Sequence, residues 1–70
     1  MTKRIVFYAH DKDYWYAFYM ETDGIFGVIL PKKEWPTLQS FKQMIRKCED
    51  APIEPEELVG ATIVEVKEVE

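Results

Sequence analysis

The segment from Tyr14 to Glu21 constrains the fold of this chain more than any other. Its even positions hold Tyr14, Tyr16, Phe18 and Met20, and its odd positions hold Trp15, Ala17 and Tyr19. Aromatic residues favour strands, and the side chains of a strand point alternately to its two faces. Residues 14–21 are therefore predicted to form a strand with bulky side chains on both faces, so its sheet needs cover on both sides.

Two more strands are predicted to pair with this one. Residues 4–10 and residues 25–30 are rich in apolar and β-branched side chains, and Gly27 indicates a bulge or a close neighbour. The Asp-Gly pair at positions 23 and 24 lies between two apolar runs, which is a strong hairpin signal. The three strands are therefore predicted to form an antiparallel meander.

A single helix is predicted to follow the meander. Apolar residues recur there at helical spacing: Leu38, Phe41, Met44, Ile45 and Cys48. Residues 38–49 are therefore predicted to form an amphipathic helix, with Thr37 as its N-cap.

The remainder of the chain completes one small domain. Residues 55–59 are predicted to form one helical turn that Gly60 closes, and residues 61–69 a fourth strand placed beside the first. Residues 1–70 are thus predicted to be a single α+β domain of order β-β-β-α-β. In it, one helix packs on one face of a three- to four-stranded antiparallel sheet.

One helix covers only one face of such a sheet. Because the strands are bulky on both faces, the other face is predicted to meet a protein partner or a second copy of the chain. Tyr14 and Tyr16 share a face of their strand and are predicted to contact that partner.

Charge is divided unevenly along the chain, whose formal net charge is −4. Residues 1–48 carry eight basic and five acidic side chains, whereas residues 49–70 carry eight acidic and one basic. This acidic last third favours a basic partner, and its residues Glu54, Glu56 and Glu57 are predicted to contact it. The alternative is that these charges only solvate the surface and protect a sheet edge.

Residues that could carry chemistry are few. The chain is too short for the large enzyme barrels and doubly wound sheets, and it has no phosphate loop, metalloprotease motif or nucleophile elbow. His10 is interpreted as a strand-end histidine in a polar turn, and Cys48 as a small buried hydrophobe. No catalytic residue, metal site or cofactor is predicted, and the protein is not expected to be an enzyme.

The compartment is predicted from the single cysteine and from the first residues. One cysteine forms no intrachain disulfide, which suits a reducing cytosol. The apolar run at residues 5–9 is shorter than a signal peptide or a membrane helix requires. We therefore expect a cytoplasmic protein without membrane association.

Three parts of the chain together resemble the HicB-type antitoxin domain. They are the hairpin of residues 5–18, the threonine-led helix start at residues 37–41, and the proline-rich acidic connector with its closing strand at residues 52–66. The resemblance implies a similar fold and a similar partner, because such domains bind a small basic ribonuclease toxin and cover its active surface.

The chain is therefore predicted to be a non-enzymatic module, antitoxin-like or inhibitory, that sequesters a basic nucleic-acid-acting protein. One alternative is an acidic phage-type inhibitor of a host nuclease or defence complex, with carboxylates where phosphates would lie. Another is a small RNA-binding domain using Lys42, Arg46 and Lys47, and a fourth is a structural oligomerisation domain. Direct nucleic-acid binding is not expected, because the balance of charge is acidic.

Overall fold

The computed structural model of the protein describes residues 4–69. Lys3 and Glu70, which enter the charge counts above, lie outside the described residues. Five strands form one antiparallel sheet in the order β4-β3-β2-β1-β5. The strands are β1 (Arg4–His10), β2 (Tyr14–Glu21), β3 (Gly24–Pro31), β4 (Ala51–Ile53) and β5 (Thr62–Val69). A helix, α1 (Leu38–Ile45), follows β3, and a 3-10 turn (Pro55–Leu58) separates β4 from β5.

The α+β class is confirmed, and the sheet has one strand more than predicted. The strands predicted at residues 4–10 and 14–21 are confirmed, and the closing strand pairs antiparallel with β1 as expected. The additional strand, β4, lies in a segment that was predicted to be a connector. It is only three residues long and carries Pro52, so it shows no alternation, and its pairing with β3 defines it as a strand.

Helix α1 begins where predicted and ends earlier. The Thr37 hydroxyl accepts a hydrogen bond from the Ser40 backbone N–H at 3.1 Å, which caps the first turn. The helix ends at Ile45 rather than at residue 49. Beyond Ile45 the chain tightens, because the backbone N–H groups of Lys47 and Cys48 each donate to a carbonyl three residues back.

The face of the sheet under α1, here called the helix face, holds the larger part of the core. Phe41 of α1 is completely buried against it. Its ring stacks on Trp15 with 6.2 Å between centroids. The Trp15 indole N–H donates to the Trp35 carbonyl at 2.7 Å, so its one polar atom is satisfied. The buried residues of this cluster are Tyr8, Trp15, Ala17, Val28 and Phe41.

The opposite face is partly covered by the chain itself, through residues 54–61, here called the crossover segment. Leu58 and Ala61 pack against a second cluster, and we call this side the crossover face. The buried residues there are Ala9, Tyr16, Phe18 and Ile53. The predicted helical turn at residues 55–59 is thus confirmed as a 3-10 turn, and it adds cover to a face that the prediction left bare.

A bulge in β5 changes which side chains share a face. Tyr8 lies opposite Glu65, but the next residue of β1, Ala9, lies opposite Ile63, so Val64 is an extra residue. Strict alternation would separate Ile63 from Val66. Because of the bulge, both residues lie on the crossover face.

Gly27 allows a close backbone approach between β3 and β2. A Cβ atom at this position would lie 2.0 Å from the Ala17 carbonyl oxygen and 2.7 Å from the Phe18 Cα. No side-chain rotation relieves a clash with backbone atoms, so any larger residue must push β3 away from β2. The close neighbour that the sequence indicated at Gly27 is therefore confirmed.

We expect Gly27→Ala to lower the free energy of unfolding by about 3 kcal/mol, because it overpacks the contact between β2 and β3. Urea denaturation followed by circular dichroism measures this loss. Gly60→Ala is the matched control: its φ of +90° strains an alanine, but open space surrounds it, so we expect a loss of about 1 kcal/mol. Equal losses for the two variants would contradict the assignment of a steric role to Gly27.

Candidate protein-binding surface

The crossover segment leaves part of the crossover face open. It packs against a cluster with residues from β1, β2, β3 and β4, whereas other residues of β1, β2 and β5 carry large exposed apolar side chains. Four of them are half or more exposed: Ile5 at 50%, Met20 at 63%, Ile63 at 52% and Val66 at 55%. Together with the half-buried Phe7 they form what we call the apolar stripe.

The strand register places the members of the apolar stripe on one face. Phe7 lies opposite Val66 on one side and opposite Phe18 on the other, and its ring stacks on Phe18 at 5.4 Å. Met20 lies opposite Ile25, which packs against the crossover-face cluster. The stripe is therefore a continuation of that cluster into solvent. A contiguous exposed apolar surface on an ordered sheet is typical of protein-interaction sites.

The three predicted glutamates lie on the same side of the sheet as the apolar stripe. Glu54, Glu56 and Glu57 are exposed on the 3-10 turn, and we call them the acidic turn. The Glu57 carboxylate accepts a hydrogen bond from the Glu54 backbone N–H at 2.9 Å, so it also closes the turn. Because Leu58 anchors this turn on the crossover face, the acidic charge and the exposed apolar surface lie on the same side of the sheet.

The two predicted tyrosines have different environments. Tyr14 is 45% exposed, whereas Tyr16 is 4% exposed and belongs to the crossover-face cluster. The Tyr16 hydroxyl donates a hydrogen bond to the Asp11 carboxylate. Alternation placed both tyrosines on one face, but the crossover segment covers that face only in part. Of the two residues, Tyr14 is therefore the one presented for direct contact with a partner.

A small electrostatic cluster surrounds the Tyr16 hydroxyl. Burial raises the pKa of Tyr16 to about 12, and the hydrogen bond to the charged Asp11, together with the nearby Glu57, acts in the same direction. The Tyr16 hydroxyl in turn lowers the pKa of Asp11, whose carboxylate also accepts the backbone N–H groups of Asp13 and Tyr14 at 2.8 Å. Two other predicted contact residues, Tyr14 and Glu57, thus lie near enough to the Tyr16 hydroxyl to affect its pKa.

The basic residue of α1, Lys42, lies on the helix face, and Arg46 and Lys47 follow the end of the helix. The Lys42 ammonium is 2.6 Å from the Glu65 carboxylate and lies over the Tyr8 ring, so its charge is compensated within the fold. Arg46 and Lys47 are exposed. Lys42 therefore lies on the helix face together with Glu65, whereas the acidic turn lies on the crossover face.

The residues considered for other chemistry have structural contacts. His10 Nδ1 lies 2.7 Å from the Lys32 ammonium, and the His10 ring stacks on Trp15. Cys48 is half-buried against the helix-face core. Among residues 4–69, no group of three histidine, cysteine or acidic side chains is arranged to hold a metal ion. Within the same residues, no helix has the length and apolar character needed to cross a membrane.

No protein-family model, no curated protein and no solved structure matches this chain. Its function is therefore inferred from the chemistry of its own residues. The apolar stripe is the part of the surface that the sequence reasoning did not identify. The alternation of apolar residues in residues 61–69 was a signal for it, but the bulge at Val64, which joins Ile63 to Val66, was not visible in the sequence.

The contact between Asp11 and Tyr16 predicts how stability changes at both ends of the pH range. The raised pKa of Tyr16 makes a contribution that is complete below the ordinary phenol value of 10.0 and is lost as the pH rises towards about 12. The lowered pKa of Asp11 makes a contribution that is present above the ordinary value of 3.8 and is lost as the pH falls below it. Urea midpoints measured across the pH range test both statements.

The variant Asp11→Asn removes the charge while keeping a hydrogen-bond acceptor. We expect it to lower the pKa of Tyr16 without returning it fully to the ordinary phenol value, because burial remains. Titration of tyrosinate absorbance measures this shift, and Tyr16→Phe identifies which ionisation belongs to Tyr16. If the ionisation that Tyr16→Phe removes has the ordinary phenol pKa instead of a higher one, the burial of this hydroxyl in solution is contradicted.

Proposed function

We propose that this protein is a binding module that sequesters a small basic protein acting on nucleic acid. The partner docks on the apolar stripe, and the acidic turn on the same side of the sheet steers the partner and contacts its cations. The exposure of Ile5, Met20, Ile63 and Val66 on one face of the sheet carries this proposal.

The apolar stripe supplies the binding energy of this proposal. Each square ångström of apolar surface that a partner covers contributes about 25 cal/mol before the costs of association. Four half-exposed side chains on neighbouring strands offer such a surface without any rearrangement of the sheet. A rigid strand surface also loses little conformational entropy when a partner binds.

The charge of the acidic turn determines which partners are favoured. Three carboxylates on one 3-10 turn repel an acidic protein and attract a basic one. Proteins that handle RNA or DNA present cations where the phosphates bind, so a carboxylate surface fits the same site. Both the antitoxin and the phage-type inhibitor hypotheses require this chemistry, and the likeness to HicB-type antitoxin domains supports the former.

The experiment uses purified small basic ribonucleases, including any small basic protein encoded beside the gene for this chain. Inhibition of RNA cleavage and fluorescence anisotropy measure binding at about 50 mM and about 300 mM salt. We expect one of these proteins to bind the chain with one-to-one inhibition. The triple variant Glu54→Gln, Glu56→Gln, Glu57→Gln should weaken this binding by about tenfold to a hundredfold at low salt, chiefly through slower association.

Two further variants separate the acidic turn from the apolar stripe. The control triple variant Asp23→Asn, Glu34→Gln, Glu49→Gln removes the same charge at exposed positions outside the crossover segment, and should change binding less than threefold, roughly. Met20→Gln should speed dissociation and leave the salt dependence unchanged. Binding that survives loss of the acidic turn at every salt concentration would contradict the proposed steering.

A basic groove supports a second candidate function, RNA binding. Its lining contains Lys12, Lys32 and Lys33 together with Asp13 and the exposed Tyr14, and a ring beside cations is a surface on which a base stacks. Tight, salt-sensitive binding of single-stranded RNA by the chain alone, lost in Tyr14→Ala, would favour this function over sequestration of a protein.

A further inference from the structure

Strand β5 ends the sheet with a long and open edge. It runs for eight residues, and its inner edge pairs with β1. On its outer edge, the part of the chain that the structure describes supplies no further strand. Most of its side chains are exposed, including the apolar residues Ile63, Val64 and Val66. Such an edge presents backbone N–H and C=O groups that pair readily with another strand.

Strand β5 carries three charged residues: Glu65 and Lys67 have opposite signs two positions apart, and Glu68 lies opposite Ile5 on the crossover face. Glu65 lies opposite Tyr8, and Lys67 lies opposite Val6, so both charges are on the helix face. Between them, Val66 lies opposite Phe7 on the crossover face. Edge strands are commonly protected by charges that repel a second copy. Opposite charges two residues apart can instead attract a second copy, because the second copy presents them in reversed order when it pairs antiparallel.

We propose that a second copy of this chain pairs antiparallel with the outer edge of β5, with the two Val66 residues opposite each other. In this register Glu65 of one copy lies opposite the partner's Lys67, and Lys67 lies opposite the partner's Glu65. Cross-strand neighbours have Cβ atoms about 5 Å apart, which is close enough for two ion pairs related by the twofold axis.

The neighbouring registers that keep both helices on the same side of the sheet are unfavourable. A register centred on Glu65 brings two glutamates together, and a register centred on Lys67 brings two lysines together. Like charges directly opposite each other are destabilising. Of these three registers, only the one centred on Val66 places opposite charges across from each other. Because this charge pattern is complementary to itself, it favours a second copy over an unrelated strand.

This pairing also changes the crossover face. Val66 belongs to the apolar stripe, so the stripes of the two copies meet at the twofold axis and form one continuous apolar surface. Because the bulge at Val64 disturbs pairing before Glu65, regular pairing in this register is limited to residues 65–67 of each copy, and the contact area lies at the low end for specific complexes. We therefore expect a dissociation constant on the order of 10 μM to 100 μM.

The experiment is a charge exchange followed by sedimentation equilibrium from about 1 μM to about 1,000 μM protein. Lys67→Glu places glutamates opposite glutamates, and Glu65→Lys places lysines opposite lysines. Each variant alone should weaken dimerisation by at least about tenfold. An equimolar mixture of the two restores both ion pairs, so we expect it to dimerise within about threefold of the unmodified chain.

Matched controls exclude effects of net charge and of misfolding. Lys33→Glu and Glu34→Lys make the same charge changes at exposed positions in the loop after β3 and should leave dimerisation unchanged. Glu65→Lys also opposes Lys42, which contacts Glu65 within one copy. The double variant Glu65→Lys, Lys42→Glu restores that contact. When it is mixed with Lys67→Glu, it should dimerise as Glu65→Lys does in the same mixture.

Hydrogen exchange gives a second measurement on the unmodified chain. Alternate backbone N–H groups of β5 should become more protected as the protein concentration rises, whereas those of β2 should not change. A monomer at all concentrations would overturn the proposal. Dimerisation without recovery in the mixture would overturn the register centred on Val66.

Discussion

The burial of β2 on both faces is the constraint on which the rest of the structure depends. Trp15 and Ala17 point to the helix face, and Tyr16 and Phe18 point to the crossover face. Helix α1 covers the first pair and the crossover segment covers the second. The crossover segment has to travel from β4 at one edge of the sheet to β5 at the other, and in doing so it passes over the face that α1 leaves bare.

The proposed binding surface follows from how little chain is left to provide this cover. A helix of eight residues and a crossover segment of similar length cover the two core clusters, and β1, β2 and β5 keep exposed apolar residues. The same crossover segment that buries Tyr16 also carries the acidic turn. Exposed apolar surface and negative charge therefore lie on the same side of the sheet.

The sequence predicted the elements that local patterns specify. Alternation defined β1 and β2, and the hydroxyl of Thr37 identified the helix start. Strand β4 was missed because its pairing with β3, rather than its three residues, makes it a strand. For the candidate site, alternation placed Tyr14 and Tyr16 on one face, but it could not show where the crossover segment would lie. The burial of Tyr16 is a tertiary property.

The contrast between the two edges of the sheet determines what kind of assembly an exposed strand can build. Strand β4 contains Pro52 at its centre, and proline has no N–H to donate to a further strand. A head-to-tail contact between β5 of one molecule and β4 of the next would therefore lack a backbone hydrogen bond at Pro52, and a fibril would not grow through such contacts. With β5 pairing as proposed and β4 blocked, the chain would form closed assemblies rather than fibrils.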